Sequence, residues 1–169
     1  NNNIKENTQL ISIMHANNEI GVIQPIQEIG EICNNNNILF HVDAAQSLGK
    51  ININLKKINV DLMSFSSHKI YGPKGVGCLY INKKISNIKQ LFYGGNQERG
   101  LRPGTLPVQL IVGFGKACKI AREVIIEESK KILRLREIFT RNILSKIPDA
   151  IINGDLNNRI PGNINLSFP

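Results

Sequence analysis

The chain has 169 residues, 41% of them hydrophobic, with no Trp and 21 Lys and Arg against 13 Asp and Glu, a formal net charge of +8. That is enough for one domain with a real core. No apolar run approaches the ~20 residues of a membrane span, and no basic run is interleaved with aromatics, so neither a membrane protein nor a direct nucleic-acid binder is expected.

In chain order, QLISIM (9–14) reads as a buried strand and HANNEIGVIQ as a polar connection. Pro25 suits the first turn of a helix through IQEIGEIC, with Ile26, Ile29 and Cys33 on one apolar face. The Asn run at 34–37 ends it; this tract and the one at 1–3 belong in loops. ILFHV (38–42) is a short strand closed by Asp43, and AAQSLGK starts a turn or a short helix. Ile51–Leu55 looks like a short extended piece, and VDLMSF (60–65) is the next strand. FSSHKIYGPKG then leads into VGCLYI (76–81), a strand close enough to pair with its predecessor. After GGNQERGLRPGTLP, one helical pattern runs from Val108 to about Lys146, with Gly113 and Gly115 suggesting close packing near its start. Its alternating Lys, Arg and Glu read as a solvated face. Pro148 and NGD end it, and Ile151–Ile152 and Asn163–Phe168 look like strands of another unit.

This order implies an α/β fold: a mostly parallel sheet flanked by helices on both faces, followed by the start of a small α+β unit. A boundary near residue 125 divides 1–125, part of the larger unit, from 126–169. The start at Asn1 and the apolar finish NINLSFP suggest a piece of a longer protein. Cys33, Cys78 and Cys118 are odd in number and far apart, so they read as structural cysteines rather than a disulfide or zinc set. His15 and His41 read as packed or hydrogen-bonded rather than catalytic.

In such sheets ligands collect at the carboxyl ends of strands. Asp43 and the group Ser66–Lys69 both follow strand ends. An acid at one strand end and a lysine after a later one suit pyridoxal 5'-phosphate, with Lys69 forming the Schiff base and Asp43 pairing with the protonated ring nitrogen. Gln46 is placed to donate to the ring's phenolate oxygen, and Ser66 and His68 offer donors to a phosphate. GPKGVG (72–77) lacks the spacing of a nucleotide phosphate loop and leads into a strand. Arg99 and Arg102 either hold anions or fix their loop.

MHANNEIGVIQPI, FHVDAAQSLGK, DLMSFSSHKIYGPKGVGCLYI and GGNQERGLRPGTLPV together resemble the cysteine desulfurases of the NifS/IscS type, class V, fold-type-I pyridoxal-phosphate enzymes, over almost the whole chain. The resemblance implies the later part of the cofactor-binding domain. It implies Lys69 as the Schiff-base lysine, and Asn18, Asp43, Gln46, Ser66, Ser67, His68 and Thr105 in the cofactor-binding set. Ser67 stands where many relatives have Gly, and Thr105 would reach the phosphate of the neighbouring subunit, so a homodimer is implied. The implied reaction takes sulfur from L-cysteine, releases L-alanine and leaves an enzyme persulfide, supplying iron–sulfur cluster assembly and tRNA thiolation with scaffold and accessory proteins as partners. The persulfide cysteine and the substrate-carboxylate arginine would lie downstream of Pro169, and a ring-stacking histidine upstream of Asn1. A mitochondrial location is expected, cytoplasmic if the source is bacterial. The alternatives are another class V lyase or aminotransferase, such as a selenocysteine lyase, and a cofactor-dead scaffold for iron–sulfur assembly proteins.

Overall fold

The computed structural model describes residues 3–169; Asn1 and Asn2, where the first Asn tract and the expected larger unit begin, lie outside the described residues. Strands β1 (Leu10–Met14), β2 (Leu39–Asp43), β3 (Leu62–Ser66) and β4 (Gly77–Ile81) form one sheet in the order β1-β2-β3-β4. The first three are parallel and β4 returns antiparallel on β3. Only the short segment 67–76 joins β3 to β4, too little chain for a parallel crossover.

Helix α1 (Ile26–Asn35) joins β1 to β2 and buries Ile26, Gly30 and Cys33, one stripe at helical spacing. Pro25 sits at the cap, one residue before the first turn, where its missing N–H costs nothing. Gly30 is required by close packing: a Cβ there would lie 2.6 Å from the Asn59 carbonyl oxygen. The alternation of β2 sends Phe40 and Val42 against α1, with Ile38, Val60 and Met63 completing that core. Leu39, His41 and Asp43 point to the other face. Among the described residues that face is open rather than covered as expected: Leu10 and Leu79 are each 51% exposed.

The core is closed at the amino end of β3 by Asp61. Its buried carboxylate accepts the Phe40 N–H at 2.8 Å and pairs with Lys84 at 3.0 Å. AAQSLGK forms turns and no helix, and Ile51–Leu55 pairs with no strand. Cys33 is buried as expected, but Cys78 is exposed on β4.

Helix α2 (Val108–Lys146) is continuous over 39 residues and passes through position 125 without a break. Its first half seats Phe114 and Ala117 against Ile70. Gly113 permits that approach, since a Cβ there would meet Pro73 at 2.6 Å, whereas Gly115 faces open space. Beyond α2, β5 (Ile151–Ile152) and β6 (Leu166–Ser167) make a small antiparallel ribbon. The segment between them holds the connection after β1, through Ile23 N–H to Asn158 O at 2.8 Å and the Asn163 amide to Glu19 O at 2.9 Å.

Candidate active site at the carboxyl edge of the sheet

Asp43 ends β2 and Ser66 ends β3; the strands are parallel neighbours, with Asp43 in register with Ser64. The chain leaves β3 straight into a 3-10 turn, Ser67–Ile70, that carries Lys69. Adjacent parallel strands therefore bring the acid and the amine to one edge although many residues separate them. Tyr71, left-handed at φ 63°, ends the turn, and the Gly72 N–H closes it on Ser67 O at 3.1 Å. Gly75 at φ 85° then allows the return into β4.

Asp43 is half-buried. Its backbone is held from both sides, with His15 N–H donating to Asp43 O at 2.8 Å and Ala44 N–H to Ser64 O at 2.9 Å. Its Oδ1 accepts from Ala45 N–H at 2.8 Å. The carboxylate thus caps the following turn as well, and Oδ2 accepts nothing among the described residues.

Gln46 is oriented by a residue that sequence reasoning missed. The Lys50 ammonium donates to Gln46 Oε1 at 2.8 Å, so the carboxamide's free end is its NH₂, a donor. Burial first, and then the nearby Lys69 charge, push the Lys50 pKa down. The ion pairs among the described residues, Asp61–Lys84 and Glu127–Lys130, involve neither lysine. Two cationic side chains therefore share this edge without an acidic ion-pair partner, which suits an anionic group such as a phosphate.

The loop serines divide. Ser66 is half-buried and His68 exposed at the edge. Ser67 is fully buried, and its hydroxyl has no hydrogen-bond partner. It lies beneath Gly72, in contact range of where a Cβ on that glycine would stand, beside Ala117. Of the expected cofactor-binding residues on this turn, His68 and Lys69 are thus exposed, Ser66 is half-buried and Ser67 lies in the interior.

In the connection after β1, Asn17 is the turn-former: its Oδ1 accepts from Glu19 N–H and Ile20 N–H, each at 2.9 Å. That leaves Asn18 exposed. Thr105 is exposed in the stretch before α2 and makes no side-chain hydrogen bond to these groups. The loop ahead of it braces itself, with Gly104 N–H on Gln97 Oε1 at 3.1 Å and the Arg102 guanidinium on Pro103 O. Glu98 and Arg99 hold left-handed backbones there, φ 50° and 58°.

His41 is hydrogen-bonded, as expected, through Nδ1 to Ser12 Oγ at 2.7 Å and Nε2 to Ser64 Oγ at 3.2 Å. His15 is buried with Nδ1 unpartnered, and desolvation lowers its pKa. A groove of about 310 Å³ lies elsewhere, between the second half of α2 and the β5–β6 segment, and contains none of the residues at the carboxyl edge. The described residues contain no cluster of His, Cys, Asp or Glu able to hold a metal. None of their helices is long and apolar enough to cross a membrane.

The edge matches the requirements of pyridoxal phosphate in its donor set: a primary amine, a carboxylate with a free oxygen, an amide NH₂ and uncompensated cations.

Comparison with known proteins bears on this arrangement. The family pattern "Aminotransferase class-V" matches residues 1–169. The chain is 52% identical to "Cysteine desulfurase IscS" of Ehrlichia chaffeensis over 98% of its own length and 41% of that protein. It is 49% identical to human "Cysteine desulfurase", covering 98% of this chain and 36% of that one. Among solved structures it superposes on a "NIFS-LIKE PROTEIN" with a TM-score of 0.92 at 43% identity, covering 99% of this chain and 46% of the other. DndA from Streptomyces lividans gives a TM-score of 0.87 at 36% identity, covering 98% of this chain and 47% of that one. The chain thus spans about two fifths of the length of these curated relatives. The likeness identifies the mixed sheet as the fold-type-I architecture expected from the sequence.

Proposed function

This chain belongs to the class-V aminotransferase family, and from that membership we propose that it forms the cofactor seat of a cysteine desulfurase that takes sulfur from L-cysteine and releases L-alanine. The observation that supports this most is the convergence of Asp43 and Lys69 at the carboxyl edge of adjacent parallel strands. Pyridoxal phosphate, when bound, supplies the electron sink for chemistry at the amino acid's α-carbon. Lys69 is the residue that holds it covalently and moves protons at the substrate's α- and β-carbons. Asp43 pairs with the ring nitrogen through its free oxygen. Gln46, its amide turned by Lys50, donates to the phenolate oxygen, and Asn18 contacts the group near it. Ser66 and His68 bind the phosphate, and Thr105 reaches the phosphate of the partner subunit in a homodimer.

The division near residue 125, with 126–169 opening a smaller unit along the continuous helix, belongs to the same reading. So do an enzyme persulfide, sulfur supply to iron–sulfur cluster assembly and tRNA thiolation, the assembly proteins as partners, and a mitochondrial location. Borohydride reduction of the full-length protein loaded with cofactor, followed by peptide mapping, tests the centre of it. The expected label is a pyridoxyl group on Lys69. A label carried only by another lysine overturns the assignment.

A further inference from the structure

The chain after β1 forms a hairpin that links the carboxyl edge of the sheet to the segment between β5 and β6. At its base His15 N–H donates to Asp43 O at 2.8 Å and Gln24 N–H to His15 O at 2.8 Å. Further out, Asn17 N–H donates to Val22 O at 2.9 Å and Gly21 N–H to Asn17 O at 3.1 Å. Asn18 and Glu19 lie exposed at the tip. The returning arm is laid against residues 158–160: Ile23 N–H donates to Asn158 O at 2.8 Å, Ile160 N–H to Gly21 O at 2.9 Å, and Val22 bridges Arg159 antiparallel.

Two asparagines close the tip. Asn163 Nδ2 donates to Glu19 O at 2.9 Å across 144 residues, and Asn165 Nδ2 donates to the same oxygen at 3.3 Å. A carbonyl has no proton to give, so the nitrogen end of Asn163 must be the one that faces it. The opposite orientation would set two acceptor oxygens against each other. Asn163 Oδ1 is left buried and without a partner, a cost that the bond to Glu19 O offsets. Gly21, left-handed at φ 69°, permits the approach, since a Cβ there would stand 2.5 Å from Asn163 Cβ and Cγ. Asn165 is shared with the ribbon, its Oδ1 accepting from Asn153 Nδ2 at 2.8 Å.

We infer that Asn163 is a positioning residue for the cofactor site: by holding Glu19 O it fixes the hairpin tip and so presents the neighbouring Asn18. The inference rests on the cofactor reading above, in which Asn18 contacts the bound group. Asn17 sets the turn from inside the hairpin through Glu19 N–H and Ile20 N–H. Asn163 sets it from outside, through the carbonyl of the residue that follows Asn18. The second unit thereby contributes to the site without touching the cofactor.

Two measurements on the full-length protein test it. In cofactor-free protein, Asn163→Ala should speed amide exchange of Glu19, Ile20 and Gly21 about tenfold, as expected for one lost hydrogen bond, with β1 and β2 unchanged. Asn163→Asp, equal in size but with no donor for Glu19 O, should do the same. Unchanged exchange at the tip, or equal opening of β1 and β2, overturns the inference. In protein loaded with pyridoxal phosphate, both variants should shorten cofactor retention on dilution severalfold. Adding Asn163→Ala to Asn18→Ala should shorten it no further, because the effect passes through Asn18. Losses that add, or a retention unmoved by Asn163→Ala, overturn the positioning role and leave the cofactor reading standing. A wild-type protein that takes up no pyridoxal phosphate overturns the cofactor reading and this role with it.

Discussion

Ser67→Ala separates a cofactor-binding residue from an enclosed hydroxyl. The Ser67 side chain is fully buried and its Oγ has no partner. An unpaired buried hydroxyl costs about 1–3 kcal/mol, and removing one oxygen leaves a hole smaller than a methyl group. The variant should therefore gain roughly 1 kcal/mol. Gly72→Ala should do the reverse. A Cβ at that position overlaps Ser67 Oγ and lies 3.0 Å from Ser67 O and 3.2 Å from Ala117 Cβ. Overpacking of that kind costs about 1–3 kcal/mol. Because the overlap is with Oγ itself, the double variant should recover part of the loss, a coupling of at least about 0.5 kcal/mol. Chemical denaturation of the full-length protein reads the stabilities, and cofactor retention on dilution reads binding. If Ser67→Ala loses stability, or sheds cofactor faster than the parent, the hydroxyl has a partner and the reasoning is refuted.

Asp61 is a stability device at the end of β3 away from the site. Asp61→Ala strands the buried Phe40 N–H and should cost about 2–3 kcal/mol in denaturation, most of it from that donor, because Lys84 is half exposed. Asp61→Asn retains an acceptor and should cost clearly less; equal losses would show that the hydrogen bond is not the cause. His15 has a folded pKa below its ordinary value because burial penalises the cation. The unfolded chain then binds the proton more readily, so this residue's contribution is intact above about pH 6.5 and is lost as the pH falls from there through the depressed folded value. Melting curves between neutral and mildly acid pH should steepen this way in the parent and flatten in His15→Gln; an unchanged slope would place the acid sensitivity elsewhere.

Much of the fold was legible in the sequence because it is written in local periods. The apolar runs of β1 to β4 and the stripes of α1 and α2 appear within a few residues of their observed ends. The placement of Asp43 and Lys69 at one edge was legible because the first ends an apolar strand run and the second closely follows another, and strand ends gather at one edge of this class of sheet. Ile51–Leu55, read as a short extended piece, pairs with no strand: extended composition without a neighbour in register has no ladder to join. Two covered faces were expected from the parallel order, and among the described residues only the α1 side is covered.

The order of strands and helices, the face of each that is apolar, and the residues able to act as acid or amine were properties of the chain's own covalent order. Which end of the Gln46 carboxamide is taken, which loop serine is enclosed, and the joining of Ser12 to His41 across 29 residues were decided by tertiary structure alone. Hydrophobic period sets which way a side chain faces. The atom it meets depends on the register of a neighbouring strand and on how closely α2 approaches the turn after β3, and neither distance is encoded locally.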